Sequence, residues 1–197
     1  IVSKPDISSS QSNSELSPEL MQIAEVDSVI GTALGFLAIT SPSGQEDRGR
    51  NVIVGKLRAL GSEAQVDQHG NVIGSIGASI GYEKAPGVVL NAHMDMVPGD
   101  PQDPTKLVKP RLRSDYGDGK EWITSDGTTT LGADDKAGVA AILDVVARLL
   151  GKHPRQQTPL KHGPIEIVFT VEEETTGRGG EKLDTTQFNS KYILVID

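Results

Sequence analysis

The sequence predicts an α/β protein with a mixed, largely parallel sheet sandwiched between helices. Residues 88–92 form a run that is apolar except for Asn91 and too short for a helix, which is typical of a strand buried on both faces. Two further apolar runs, 165–171 and 193–196, follow an amphipathic segment at 135–150. This alternation of helix and strand favours parallel strands joined by crossover connections.

The bulk composition excludes several classes of function. The chain has 197 residues, no cysteine, a net charge of -8 and a pI of about 5.0. The negative charge repels a phosphate backbone and the basic residues are scattered, so we expect no nucleic-acid partner. Without cysteine, any metal must bind to His, Asp or Glu. No apolar stretch reaches the roughly 20 residues of a membrane helix, so we expect no membrane partner.

The first half of the chain divides into a tail, helices and a hairpin. Residues 1–17 are rich in Ser and poor in large apolar residues, which predicts a flexible tail before one main domain at 18–197. Helical spacing runs from Pro18 until the Ser41-Pro42-Ser43-Gly44 turn, and a second helix is expected at 45–60, with Gly61 as its left-handed C-terminal cap. Strands at 63–68 and 72–76 then flank His69-Gly70-Asn71, where Gly70 is expected to be left-handed. The stretch 98–127 carries many Pro and Gly residues and is expected to be loop with a little edge strand.

Acidic and imidazole side chains recur where the apolar runs end. They are His93, Asp134, the pair Glu173/Glu174 and Asp197. Because the carboxyl ends of parallel strands meet at one edge of a sheet, these side chains are expected to converge there. Imidazole and carboxylate groups are ligands for zinc, and cobalt or manganese would fit similar geometry. The sequence therefore predicts a hydrolytic site with two metal ions.

Each of these positions also has a plain structural interpretation. His93 could be a buried histidine bonded to Asp95, and the Asp134-Asp135 pair could cap the helix that follows it. Residues 172–174 could form a solvated acidic loop, and an Asp after a strand, such as Asp197, is common. Four such positions in one alternating pattern favour the metal site. Three negative charges from Asp134, Glu174 and Asp197, with a bridging hydroxide, would balance two divalent ions.

The remaining histidines are predicted to be structural. His69 lies in the hairpin turn, His153 is expected to be exposed beside Pro154, and His162 lies in a loop before Gly163-Pro164. None of them has a ligand-type residue beside it in the sequence.

Three segments resemble motifs of the M20 metallopeptidases. They are Asn91-Ala92-His93-Met94-Asp95, the long stretch 125–138 and 168–174. The long stretch, Ser-Asp-Gly-Thr-Thr-Thr-Leu-Gly-Ala-Asp-Asp-Lys-Ala-Gly, is most similar to the peptidase T and peptidase T-like branch. The resemblance runs from about residue 25 to the last residue and implies a zinc-exopeptidase-like fold.

The resemblance implies a role for each candidate residue. His93, Asp134 and Asp197 would hold one zinc ion, while Asp134 and Glu174 would hold the second. Glu173 is similar to the general base of the family, and Asp95 to the residue that orients the metal-binding histidine. The resemblance also implies a cis peptide bond between Asp134 and Asp135.

The chain departs from the family in two respects. After the glutamates it has Thr175-Thr176-Gly177 where the family reaches Gly one residue sooner, and we keep Glu173 as the base. Family members also continue with an inserted α/β lid domain and a late histidine of the second zinc site, and neither is present here. The resemblance therefore predicts that 18–197 is a truncated, amino-terminal part of the catalytic domain, inactive alone.

The resemblance implies an aminopeptidase that cleaves short peptides such as tripeptides. A deacylase or carboxypeptidase acting on N-acyl amino acids, and a noncatalytic remnant, stay open as alternatives. We further expect a cytoplasmic location and, for the full-length protein, scope for a homodimer.

Overall fold

A five-stranded sheet lies at the centre of the computed structural model, which describes residues 16–197. The strands in these residues are β1 (Glu63–Val66), β2 (Val72–Ile76), β3 (Val88–His93), β4 (Pro110–Arg113), β5 (Trp122–Ser125), β6 (Ile165–Thr170) and β7 (Tyr192–Val195). The order in the main sheet is β1-β2-β6-β3-β7. β4 and β5 pair only with each other.

The pairing of the main sheet is mixed. β3 is parallel to both β6 and β7, whereas β2 is antiparallel to both β1 and β6. Four of the five strands therefore run in one direction and only β2 runs in the other. This confirms the prediction of a mixed, largely parallel sheet. β7 is an edge strand whose side chains are all more than half exposed.

Helices flank the sheet and complete the core. The described helices are α1 (Pro18–Val26), α2 (Ser28–Leu37), α3 (Asp47–Leu60), α4 (Ala133–Leu149) and the single turn α5 (Arg178–Glu181), with a 3-10 turn at Thr185–Gln187. Apolar side chains from α3, α4 and β6 are buried together; they include Ile53, Leu57, Ile142, Val146, Ile167 and Phe169. Burial of each such side chain contributes roughly 1.5–3 kcal/mol to stability.

The amino-terminal helical segment is two helices, so the prediction of one helix from Pro18 is wrong. Asp27 separates them with an extended backbone, φ -124° and ψ 109°. Its carboxylate accepts the N–H groups of Val29 and Ile30 and so caps α2. The apolar periodicity continues across this break, which is why spacing alone did not reveal it.

The stretch 98–127 is mostly loop, as predicted, and its short strands form a separate two-stranded sheet. β4 and β5 are antiparallel, with Leu112 opposite Ile123. These two side chains pack against a small cluster formed by Leu20, Leu34 and Leu37 of α1 and α2. The hairpin is therefore placed by the helices and not by the edge of the main sheet.

Two glycine predictions are confirmed. Gly61 follows α3 with φ 84°, and Gly70 lies in the β1–β2 turn with φ 97°. Residues 1–15 of the predicted tail lie outside the described residues. Ser17 caps α1 by accepting the N–H of Leu20. Among residues 16–197, every helix is too short or too polar to cross a bilayer.

His153 is buried, so the prediction that it is exposed is wrong. Its side chain is 1% exposed, and its Nδ1 accepts the N–H of Arg155. Its Nε2 lies 2.6 Å from the Ser28 hydroxyl and 3.0 Å from the Asp144 carboxylate. The loop after α4 folds back so that the imidazole packs between α2 and α4, a contact that the sequence neighbours of His153 do not indicate.

Candidate metal centre

The parallel pairing of β3 and β6 brings two of the predicted positions together. His93, the last residue of β3, lies opposite Thr170, the last residue of β6. Residues 171–174, here called the acidic turn, follow directly and carry Glu173 and Glu174. The edge of the sheet therefore places the imidazole next to both glutamates, as the strand pattern predicted.

Three predicted ligands form one group. Each of His93, Asp134 and Glu174 offers a ligand atom, and these atoms all lie within 4.8 Å of one another. His93 Nε2 lies 3.0 Å from Asp134 Oδ1 and 3.9 Å from Glu173 Oε2. The imidazole is buried, whereas the side chains of Asp134 and Glu173 are 65% and 50% exposed. The group is thus anchored in the protein on one side and open to solvent on the other.

The two adjacent aspartates, Asp134 and Asp135, make different contacts. Asp135 is buried; its Oδ1 accepts the N–H of Gly138 within α4, and its Oδ2 accepts the N–H of His93. Asp134 instead faces His93 Nε2. The peptide bond between them is cis, which confirms that expectation. The predicted helix cap is confirmed for Asp135, whereas a metal-binding role for Asp134 stays a prediction.

Asp95 links the histidine to the acidic turn. It is fully buried, and its Oδ1 lies 3.3 Å from His93 Nδ1 and accepts the N–H of Glu173. Its Oδ2 accepts the N–H of Glu174 and the hydroxyl of Ser43. Burial would raise the pKa of this carboxyl, but His93, Ser43 and the two N–H groups favour the anion and hold the pKa below its usual value.

The electrostatics of the group favour a cation. Burial lowers the pKa of His93, but the carboxylates of Asp95 and Asp134 outweigh it and raise the pKa to about 9. Burial, and then the charge of Asp134, raise the pKa of Glu174. Burial likewise raises the pKa of Asp135 to about 6. A metal ion would displace the proton of His93 and relieve the crowding of negative charge around Glu174.

The residues fit a divalent metal. One imidazole and two carboxylates are a common donor set for zinc. The buried Nδ1 of His93 has no well-aligned hydrogen-bond partner, although Asp95 is near. A cation on the opposite nitrogen would strengthen the attraction of that N–H for the carboxylate, which is the usual support for a histidine ligand.

Asp197 lies outside the group of three. It is exposed and ends the chain just beyond β7. Its negative charge contributes to raising the pKa of Asp135. Its role as a ligand stays a prediction.

Sequence reasoning missed several buried polar side chains around the site. Glu46 is 4% exposed and accepts the N–H of Glu172. Lys136 is 2% exposed, and its ammonium donates to the Ile39 carbonyl at 2.5 Å. Burial lowers the pKa of this lysine to about 7. The local sequence contains no signal for these contacts, because their partners are far away along the chain.

A family model described as peptidase family M20/M25/M40 matches residues 89–196, more than half of the chain. The matched region contains His93, Asp134 and the acidic turn. The chain belongs to this family. The predicted membership of the M20 metallopeptidases is thereby confirmed.

Individual relatives agree with this assignment. Peptidase T of Geobacillus sp. (strain WCH70) is 31% identical over 172 residues, which cover 74% of this chain and 40% of that protein. The crystal structure of a tripeptidase from Staphylococcus aureus subsp. aureus Mu50 is 33% identical, with a TM-score of 0.70, and the match covers 86% of this chain and 42% of that one. The chain thus spans about 40% of the length of the curated relatives it matches.

A more distant structure shows the fold alone. A peptidase of family M20 from Bacillus subtilis, described as dinuclear metal-binding, is 16% identical with a TM-score of 0.50. The match covers 78% of this chain and 37% of that one.

Proposed function

We propose that this chain supplies part of the catalytic centre of a two-zinc aminopeptidase that hydrolyses short peptides from the amino terminus. The observation that carries the proposal is the convergence of His93, Asp134 and Glu174 within 4.8 Å. Membership of the M20 family and the peptidase T relatives support the class of reaction. Because the chain spans about 40% of the length of these relatives, the 197-residue chain alone should hydrolyse peptides negligibly.

The proposed ligand set uses the charges of the site. His93, Asp134 and Asp197 would hold one zinc ion, and Asp134 and Glu174 would hold part of the second. Bound zinc supplies Lewis acidity that polarises a carbonyl group and lowers the pKa of water. Cobalt or manganese would suit the same donors.

Glu173 is the proposed general base. Its carboxylate is half exposed and lies beside the group, 3.9 Å from His93 Nε2. It can therefore accept a proton from the attacking water and pass it to the leaving amine. Asp95 would keep the His93 ring in the orientation that presents Nε2. A peptide with a free amino terminus is the proposed substrate.

Calorimetric titration of the 197-residue chain with Zn²⁺ tests the metal site. Wild type should bind Zn²⁺, and His93→Ala should weaken binding by about tenfold or more, because it removes the only nitrogen donor of the group. His69→Ala is the matched control, since His69 lies in the β1–β2 turn and contacts Gln68. Equal binding by wild type and His93→Ala would contradict the proposed site.

Hydrolysis by the full-length polypeptide tests the chemistry. A free tripeptide should be cleaved in preference to its N-acetylated form; the opposite preference would indicate a deacylase or carboxypeptidase. Glu173→Gln should lower kcat by about a hundredfold or more while retaining Zn²⁺ binding. Glu181→Gln, an exposed glutamate paired with Lys182, should retain activity. A near-normal rate for Glu173→Gln would exclude it as the base.

A further inference from the structure

Buried side chains accept hydrogen bonds from the backbone of the acidic turn. The backbone N–H groups of residues 171–174 donate in succession to Asn71 Oδ1 at 3.2 Å, Glu46 Oε1 at 3.1 Å, Asp95 Oδ1 at 3.0 Å and Asp95 Oδ2 at 3.1 Å. All three acceptor residues are at most 4% exposed. Each N–H group of the turn therefore donates to a side chain from outside the turn, and Asp95 accepts two of them.

The backbone of the acidic turn requires such support. Glu172 has φ 54°, in the left-handed region that residues with a side chain rarely adopt. This reversal directs the chain back towards the site after β6 ends. The carbonyl of Glu172 accepts the N–H groups of Thr176 and Gly177, and its side chain pairs with Arg178. Since the local sequence disfavours this conformation, contacts from outside the turn must stabilise it.

Glu46 provides the contact at the reversed residue itself. Its Oε1 accepts the N–H of Glu172 at 3.1 Å and the N–H of Gly44 at 2.8 Å. A buried carboxylate with two N–H donors makes charge-assisted hydrogen bonds, which are stronger than those of a neutral acceptor. Glu46 precedes α3, yet its side chain makes no capping bond to that helix. The side chain is thus committed to the two loops.

The loop that carries Glu46, residues 41–46, also holds the histidine side of the site. Ser41 donates its hydroxyl to the Met94 carbonyl at 3.1 Å, and its own carbonyl accepts the N–H of Met96. Ser43 donates its hydroxyl to Asp95 Oδ2 at 2.6 Å. One loop therefore connects the segment after β3 to the acidic turn.

We propose that Glu46 is a positioning residue for the metal centre. By holding the N–H of Glu172 in its left-handed conformation, it sets the direction in which Glu173 and Glu174 leave the turn towards His93. Glu46 itself lies outside the group of ligands. The effect on metal binding rests on the proposed function, whereas the hydrogen bond between Glu46 and Glu172 is independent of it.

Hydrogen exchange of the metal-free chain, followed by NMR, tests the positioning directly. In Glu46→Ala the amide of Glu172 should exchange about tenfold or more faster relative to the core amide of Ile167, because its charged acceptor is gone. Glu46→Gln retains an acceptor oxygen and should stay within about threefold of wild type. Unchanged exchange at Glu172, or equal acceleration at Glu172 and Ile167, would overturn the proposal.

Metal binding provides the second measurement. Glu46→Ala should weaken Zn²⁺ binding by about tenfold and alter the visible spectrum of bound Co²⁺, whereas Glu46→Gln should restore both. Wild-type affinity and spectrum in Glu46→Ala would overturn the proposal. If the wild-type chain binds no Zn²⁺, the proposed function fails, and the exchange comparison still decides whether Glu46 positions the turn.

A second variant covers the case in which Glu46→Ala does not fold. Ser43→Ala removes only the hydroxyl that donates to Asp95 Oδ2, the oxygen that accepts the N–H of Glu174. Exchange at Glu174 should then be faster relative to Ile167, and a wild-type rate there would overturn the role of the 41–46 loop.

Discussion

Replacing Gly138 by alanine should break the connection between α4 and His93. A Cβ atom at this position would lie 2.2 Å from Asp135 Oδ1 and 2.8 Å from its Cγ, whereas ordinary contact begins at 3.4 Å. The Asp135 carboxylate must therefore move by about 1.2 Å. It would lose its bonds to the N–H groups of Gly138, at 2.9 Å, and His93, at 3.1 Å.

The expected cost follows from these two bonds. A hydrogen bond to a charged acceptor contributes about 1.5–3 kcal/mol, so the two together contribute roughly 3–6 kcal/mol. Replacing Gly by Ala within a helix stabilises the fold by about 1 kcal/mol, which offsets part of this loss. Gly138→Ala should therefore lower the free energy of unfolding by roughly 2–5 kcal/mol.

Urea unfolding near neutral pH measures this difference. Gly55→Ala in α3 is the matched control, because Gly55 is an exposed helical glycine and no atom outside the local helix backbone lies within 4 Å of the added Cβ. The control should gain about 0.5–1 kcal/mol. If Gly138→Ala proves as stable as Gly55→Ala, the carboxylate of Asp135 does not hold His93 in the way described.

Two further predictions concern pH. Burial would raise the pKa of Asp144, but its hydrogen bonds to Ser28 and Arg148 hold this pKa below the ordinary 3.8. The Asp144 carboxylate therefore stabilises the fold above pH 3.8, and this stabilisation is lost as the pH falls through the lowered pKa. Asp144→Asn should thus lower the free energy of unfolding by about 1.5–3 kcal/mol at neutral pH and by progressively less in acid, as measured by urea unfolding at the two pH values. An equal loss at neutral and acid pH would contradict the ion pair. Because the pKa of His93 is about 9, Zn²⁺ must displace its proton, and affinity should fall about tenfold for each unit of pH below that value. Calorimetry in two buffers of different ionisation enthalpy counts the protons released, and none released at neutral pH would refute this.

Local patterns predicted those elements whose signal lies within a few residues. The apolar runs at β3 and β6 and the glycine that ends α3 were predicted from neighbours alone, because burial on both faces and a left-handed cap leave a mark in the local sequence. The break at Asp27 and the β4–β5 sheet were not, because the periodicity does not record which helix a hairpin packs against. The burial of His153 depends on α2, whose Ser28 lies 125 residues away along the chain.

The sequence by itself determined the kinds of side chain that reach the edge of the sheet, since a strand must end where its apolar run ends and parallel neighbours end together. It also carried the motifs of the M20 family. Only the tertiary structure decided that the buried Asp135 accepts the N–H of His93, and what holds the acidic turn in a backbone conformation that its own residues disfavour. Those decisions depend on hydrogen bonds between residues as distant as Glu46 and Glu172, 126 positions apart. Such bonds form when folding has buried both partners, because neither can then form a hydrogen bond with water.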